Sequence, residues 1–159
     1  MIRILVDADL ILEALMNRHE FGEDVRKLLD MVHPSIQMHL TDVGWQKIYA
    51  YTSRFNNSNI AEIVVNWLQE KIQICVVDQT ILQKARSLRV KDFESAVELI
   101  CVSDRQLDAI VTHKQEDFAE PPSNFWVWSV ADLWLRANLE SQLAKNGFKA
   151  PSFEDGFLW

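Results

Sequence analysis

The feature that most constrains this chain is an alternation. Short apolar, β-rich runs lie at 2–7, 36–41, 72–77, 109–112 and 125–127. Stretches of helical period separate them at 10–16, 25–32, 43–52, 60–70, 79–88 and 93–102, and a last one follows at 131–143. Strands apolar on both faces and alternating with helices predict an α/β architecture, a central parallel sheet of about five strands with helices on both sides. Ligands of such sheets gather at the carboxyl ends of the strands. Asp7 closes the first run, and Thr112, followed by a short loop to Asp117, closes the fourth.

The remaining bulk properties narrow the class. A chain of 159 residues is long enough for one domain with a real core, with hydrophobic residues at 48% and charged residues at 25%. Four glycines and four prolines exclude collagen-like and low-complexity readings. A net charge of −7 argues against a wide basic nucleic-acid face, yet leaves room for a local basic patch or an acidic metal site. Cys75 and Cys101 sit in apolar stretches and read as core thiols. No signal-peptide pattern and no apolar stretch of membrane-spanning length is present, so the expectation is a cytoplasmic protein without membrane contact.

The acids divide into three groups. In RILVDADLIL, Asp7 and Asp9 stand two apart at a strand end; one acid suffices to cap the following helix, so the pair points to metal coordination or catalysis. In VKDFESAVELI, Phe93, Ala96, Val97 and Ile100 follow a buried helical stripe. Asp92 there falls at the N-cap and Glu94 in the first turn, positions that capping and the helix dipole explain as well as chemistry does. In DAIVTHKQEDF, Asp108 precedes a strand and Asp117 follows it, with His113 and Lys114 between. No His or Cys spacing makes a zinc site, and neither a phosphate loop nor a GxSxG elbow occurs. The chemistry open to these residues is metal-assisted hydrolysis by clustered carboxylates.

These segments resemble the PIN-domain family, known from metal-dependent ribonucleases and the toxin halves of bacterial toxin–antitoxin pairs. RILVDADLIL is similar to the family's opening strand, HLTDVGWQKIYAYTSR to its second strand and helix, and WVWSVADL to its closing strand and helix start. KDFESAVELICVSDRQLDAIVTHKQEDF resembles a block reading DFEDA, a helix, DAIVTRN, two residues and DF. The resemblance covers about residues 2–136 and implies a PIN-like domain over 1–143, with an aromatic tail at 144–159. Phe153, Phe157, Leu158 and Trp159 make that tail apolar; it either packs on the domain or a second copy, or serves as a docking peptide.

The resemblance also exposes departures. The family gathers acids from four places, and Asp7 supplies the first, with Asp117 matching an accessory acid. At the second place this chain offers Gln46 and Lys47, at the third Ser95, and at the fourth Lys114. A register slip would let Glu94 or Asp92 serve as the third. Trading these acids away removes about two to four negative charges from a site that must offset the repulsion between divalent cations. Lys114 is expected within salt-bridge reach of Asp7 or Asp117, and Asp7, Ser95 and Asp117 are expected to converge. The basic run QKARSLRVK offers Lys84, Arg86, Arg89 and Lys91 to phosphates, or is simply a solvated face. The expected function is a PIN protein weak or inactive as a nuclease that binds RNA, an antitoxin-like or other protein, or a second copy. The alternative is an active Mg²⁺- or Mn²⁺-dependent endoribonuclease, a toxin, using Asp7, Glu94 and Asp117 for catalysis and Asp7, Asp9, Asp92 and Asp117 for metal.

Overall fold

A computed structural model describes residues 1–15, 35–54, 66, 68–118 and 126–146. The elements are β1 (Ile2–Val6), α1 (Ala8–Leu15), β2 (Ile36–Thr41), α2 (Asp42–Ser53), β3 (Ile72–Cys75), α3 (Gln79–Arg86), α4 (Phe93–Asp104), β4 (Ala109–Val111), a 3₁₀ turn (Gln115–Phe118), β5 (Val127–Trp128) and α5 (Val130–Lys145). Residues 68–71 form a helical turn leading into β3. The helix expected at 25–32, most of that at 60–70, and the tail at 151–159 lie outside the described residues.

All five strands are parallel, in the order β3-β2-β1-β4-β5. Alternation along each strand sorts side chains to two cores. Ile2, Ile4, Val6, Ala109 and Val111 point to one face, where they pack with Ile11 of α1, Ile48 of α2 and Leu133 of α5. Leu5 and Ile110 point to the other, against Ile81 and Ala85 of α3 and the length of α4. Cys75 and Cys101 are buried there as free thiols. Burial on both faces is the reason the strands read as uninterrupted apolar runs.

Several boundaries differ from expectation. β3 stops at Cys75 rather than residue 77, because Asp42 takes the Val77 N–H and turns the chain off the sheet. β5 is Val127–Trp128, with Trp126 outside it and Phe125 beyond the described residues. α1 begins two residues earlier than its apolar period suggests, since Asp7 accepts the Asp9 N–H at its start. Phe93 is 48% exposed, so the buried stripe of α4 starts a turn later, and residues Ser95 to Val102 are all buried between sheet and α3. Ser129 caps α5 in a full capping box with Asp132. That helix runs two residues past the expected boundary at 143, to Lys145.

Candidate functional site

The crevice forms where β1 and β4 end side by side. Val6 pairs with Val111, and the Asp7 N–H continues the ladder onto the Val111 carbonyl at 3.0 Å. Asp7 is buried: one carboxylate oxygen accepts from the Thr112 hydroxyl at 2.8 Å, the other from the Asp9 N–H at 3.0 Å. Burial raises its pKa, and the two hydrogen bonds only partly offset this. The capping role left open between Asp7 and Asp9 falls to Asp7.

Asp9 projects from the first turn of α1 toward two ammonium groups. Lys47 Nζ lies 2.8 Å from its Oδ1 and Lys114 Nζ 2.5 Å from its Oδ2. Lys47 continues to Glu94 at 3.1 Å, giving a chain Lys114–Asp9–Lys47–Glu94. Burial alone would raise the Asp9 pKa, but hydrogen bonds from Lys114 and Lys47 hold it below its ordinary value. The Asp9 bond raises the Lys114 pKa, and for Lys47 the bonds to Asp9 and Glu94 outweigh the opposing effect of burial. Both lysines are therefore cations at neutral pH.

Glycine sets the reach of Lys47. A Cβ on Gly44 would lie 3.0 Å from the Ala8 Cβ, 3.0 Å from Thr41 Oγ1 and 3.2 Å from Leu40 Cδ1. The bare backbone lets the N-terminal turns of α1 and α2 touch, and Lys47, one turn on, then meets Asp9. Gln46 is exposed on the neighbouring face, so of the two altered family positions on α2 only Lys47 enters the crevice.

The other expected residues take partners of their own. Lys114 meets Asp9, not Asp7 or Asp117, because the Thr112 hydroxyl already holds Asp7. The Asp117 carboxylate lies 3.9 Å from the exposed Lys91 ammonium. Asp92 stands at the N-cap of α4 without a side-chain capping bond, and instead accepts from the Ser95 hydroxyl at 3.3 Å. Lys84, Arg86, Arg89 and Lys91 are all exposed along the end of α3 and the following loop. His113 Nε2 lies 2.9 Å from Glu13, one turn beyond Asp9 on α1.

Sequence reasoning missed Glu98. It is 4% exposed on α4, and its pKa rises well above 4.5 through burial first and then the charges of Asp7, Glu94 and Asp9. An acid four residues after Glu94, inside the apolar run AVELICV, was the available signal. Four acids thus share the crevice, with two lysines among them.

This arrangement does not fit a divalent cation. Both Asp9 oxygens bond ammonium groups, both Asp7 oxygens accept from protein donors, and no group of three or more His, Cys, Asp or Glu among the described residues could hold a metal.

A family model for the PIN domain matches residues 3–116. The chain belongs to the PIN-domain family. Among solved structures, DNA-bound VapBC from Salmonella typhimurium is similar at 12% identity and a TM-score of 0.63, over 82% of this chain and 99% of that one. VapBC-1 from nontypeable Haemophilus influenzae gives 11% and 0.60, over 82% and 99%. A toxin–antitoxin complex from Klebsiella pneumoniae gives 16% and 0.58, over 80% and 97%. At these identities the likeness is one of fold. No curated protein matches the sequence.

Proposed function

We propose that this PIN-domain protein is a binding module, weak or inactive as a metal-dependent nuclease, that engages RNA or an antitoxin-like protein in the cytoplasm. The observation that carries the reading is the placement of the Lys47 and Lys114 ammonium groups on the two oxygens of Asp9. Two fixed cations neutralise the acids that a divalent ion would need, and they repel its approach. The protein partner is supported by the solved structures of similar fold, which include complexes titled as toxin–antitoxin pairs. RNA contact is supported by the exposed Lys84, Arg86, Arg89 and Lys91, of which Lys91 lies 3.9 Å from Asp117. Among the described residues no helix is long and apolar enough to cross a membrane.

The second reading, a working Mg²⁺- or Mn²⁺-dependent endoribonuclease, rests on the gathering of Asp7, Asp9, Glu94 and Glu98; burial first, and then the charges of the other three, raise the Glu98 pKa. It requires both lysines to leave Asp9. Incubation of single-stranded RNA with the protein and millimolar Mn²⁺ separates the two. The binding-module reading expects retention of RNA on a filter without new ends. Cleavage that disappears in Asp7→Asn establishes the second reading.

A further inference from the structure

The outer face of α5 carries an open groove that nothing in the crevice uses. Trp126, Val127, Trp128, Asp132, Leu135, Arg136 and Leu139 line about 540 Å³ beside the edge strand β5. Leu135 is 69% exposed, Leu139 54% and Trp126 42%, so large apolar groups meet water along one side of the helix. Positions 132, 135, 136 and 139 form a stripe distinct from Val130, Leu133 and Ala137, which face the core. The Arg136 guanidinium lies over the Trp128 ring at 4.4 Å and near the Trp126 ring at 5.9 Å, which holds a positive charge in the middle of the apolar stripe. Asp132, one turn before Arg136, lines the same groove; its carboxylate accepts from Ser129 and Gln115 and answers the Arg136 charge only from one side.

Residues 147–159, GFKAPSFEDGFLW, follow α5 directly. They place two acids, Glu154 and Asp155, between apolar flanks of Phe153 on one side and Phe157, Leu158 and Trp159 on the other. Apolar, charged and apolar in turn, the segment matches the groove with the sign of charge reversed. The distances agree. At 1.5 Å per residue, Arg136 lies about 13 Å back along the helix from Lys145, and its guanidinium sits beside both tryptophan rings. Residues 147–152 span up to about 20 Å when extended, enough to bring Phe153 level with Arg136.

We propose that residues 147–159 fold back along α5 and dock in this groove, with Phe153, Phe157 and Leu158 on the Trp126–Leu135–Leu139 surface and Glu154 or Asp155 on Arg136. The contact takes the exposed Trp126, Leu135 and Leu139 out of water together with the apolar side chains of the segment. It holds whether the crevice binds RNA, protein or metal.

Cross-linking of the full chain tests it. Ala131→Cys, exposed and next to the groove-lining Asp132, is paired with Ser152→Cys, and Gln83→Cys on α3 with Ser152→Cys serves as control. The native thiols are buried, with that of Cys101 pushed up to about 12, and react slowly with a short bis-maleimide. The expected result is a cross-link within single chains at Ala131 and none at Gln83. Leu139→Asp in the groove, or Phe157→Ser in the segment where the body's core is untouched, should lower the yield about tenfold, the factor for one large apolar side chain. Equal yields at Ala131 and Gln83, or cross-links that join two chains and grow with protein concentration, overturn the proposal.

Discussion

Two surfaces of this molecule treat their exposed chemistry in opposite ways. The crevice at the ends of β1 and β4 holds four acids but answers them from within, through Lys47 and Lys114. The outer face of α5 holds apolar groups and one arginine and answers them only in part, through stacking on Trp128 and the charge of Asp132. The first is the place that family resemblance marks as functional, and it is electrostatically closed. The second has no counterpart in the family's acidic motif, and it is open. A site inherited with a fold and a surface that needs an occupant are thus separate questions, settled by the side chains present.

The largest expected effect comes from opening the crevice. Lys47→Glu combined with Lys114→Asp should lower the melting temperature by roughly 5–10 °C in metal-free buffer, since the acids then face one another without a counter-ion. Millimolar Mn²⁺ should recover much of that loss in the variant and leave the wild-type melting curve unmoved. The two lysines are partly solvated, with side-chain exposures of 40% and 36%, which keeps the effect below that of a fully buried pair.

Gly44→Ala tests whether the crevice depends on the close approach of α1 and α2. The added methyl meets Ala8 at 3.0 Å, and the expected cost is about 1–3 kcal/mol, read from urea unfolding. The same variant should raise the Asp9 pKa, visible by carboxyl NMR, as Lys47 is carried away.

Glu98 gives a pH signature. Its folded pKa is raised, so above about 4.5 the folded state holds a proton that the unfolded chain has released. Stability from this group is therefore lost as pH rises from the unfolded value through the folded one. Glu98→Gln should raise the melting temperature by a few degrees at pH 8, on the scale of about 1 kcal/mol, and by nothing at pH 4. Asp9 has the opposite sign. Its lowered pKa supplies stability at neutral pH that disappears as pH falls below about 4.

On the open face the effects are smaller. Arg136→Ala should cost about 0.5–1 kcal/mol and shift tryptophan fluorescence, since the guanidinium leaves the Trp128 ring. Neutralising Lys84, Arg86, Arg89 and Lys91 together should leave thermal stability within about 1 °C while flattening the salt dependence of RNA binding. Unchanged salt dependence would remove the basic stripe from the RNA reading.

The sheet was legible because burial on both faces leaves a continuous apolar run, which Ile2 to Val6 and Ile36 to Thr41 both show. Boundaries were less so: β3 ends where Asp42 captures Val77, a contact between residues far apart in sequence. The acids Asp7, Asp9 and Glu94 could be named from motif and position, but their partners could not. Gln46 and Lys47 are adjacent, and about 100° of helix rotation decides which enters the crevice. That Lys114 selects Asp9 over Asp7 follows from the Thr112 hydroxyl, which the spacing DAIVTHK does not reveal. Glu98 stayed hidden because a helix buried on all sides carries it into the core among Val97, Leu99 and Ile100.

In the proposed binding module, two internal ammonium groups take the electrostatic role of divalent cations. Isothermal calorimetry of the wild-type chain with Mn²⁺, beside Asp7→Asn and the Lys47→Glu, Lys114→Asp variant, tests it most directly. Wild type and Asp7→Asn should give no binding heat at millimolar metal, and the lysine-replaced variant a saturable isotherm. Stoichiometric Mn²⁺ binding by the wild type that is lost in Asp7→Asn would contradict it.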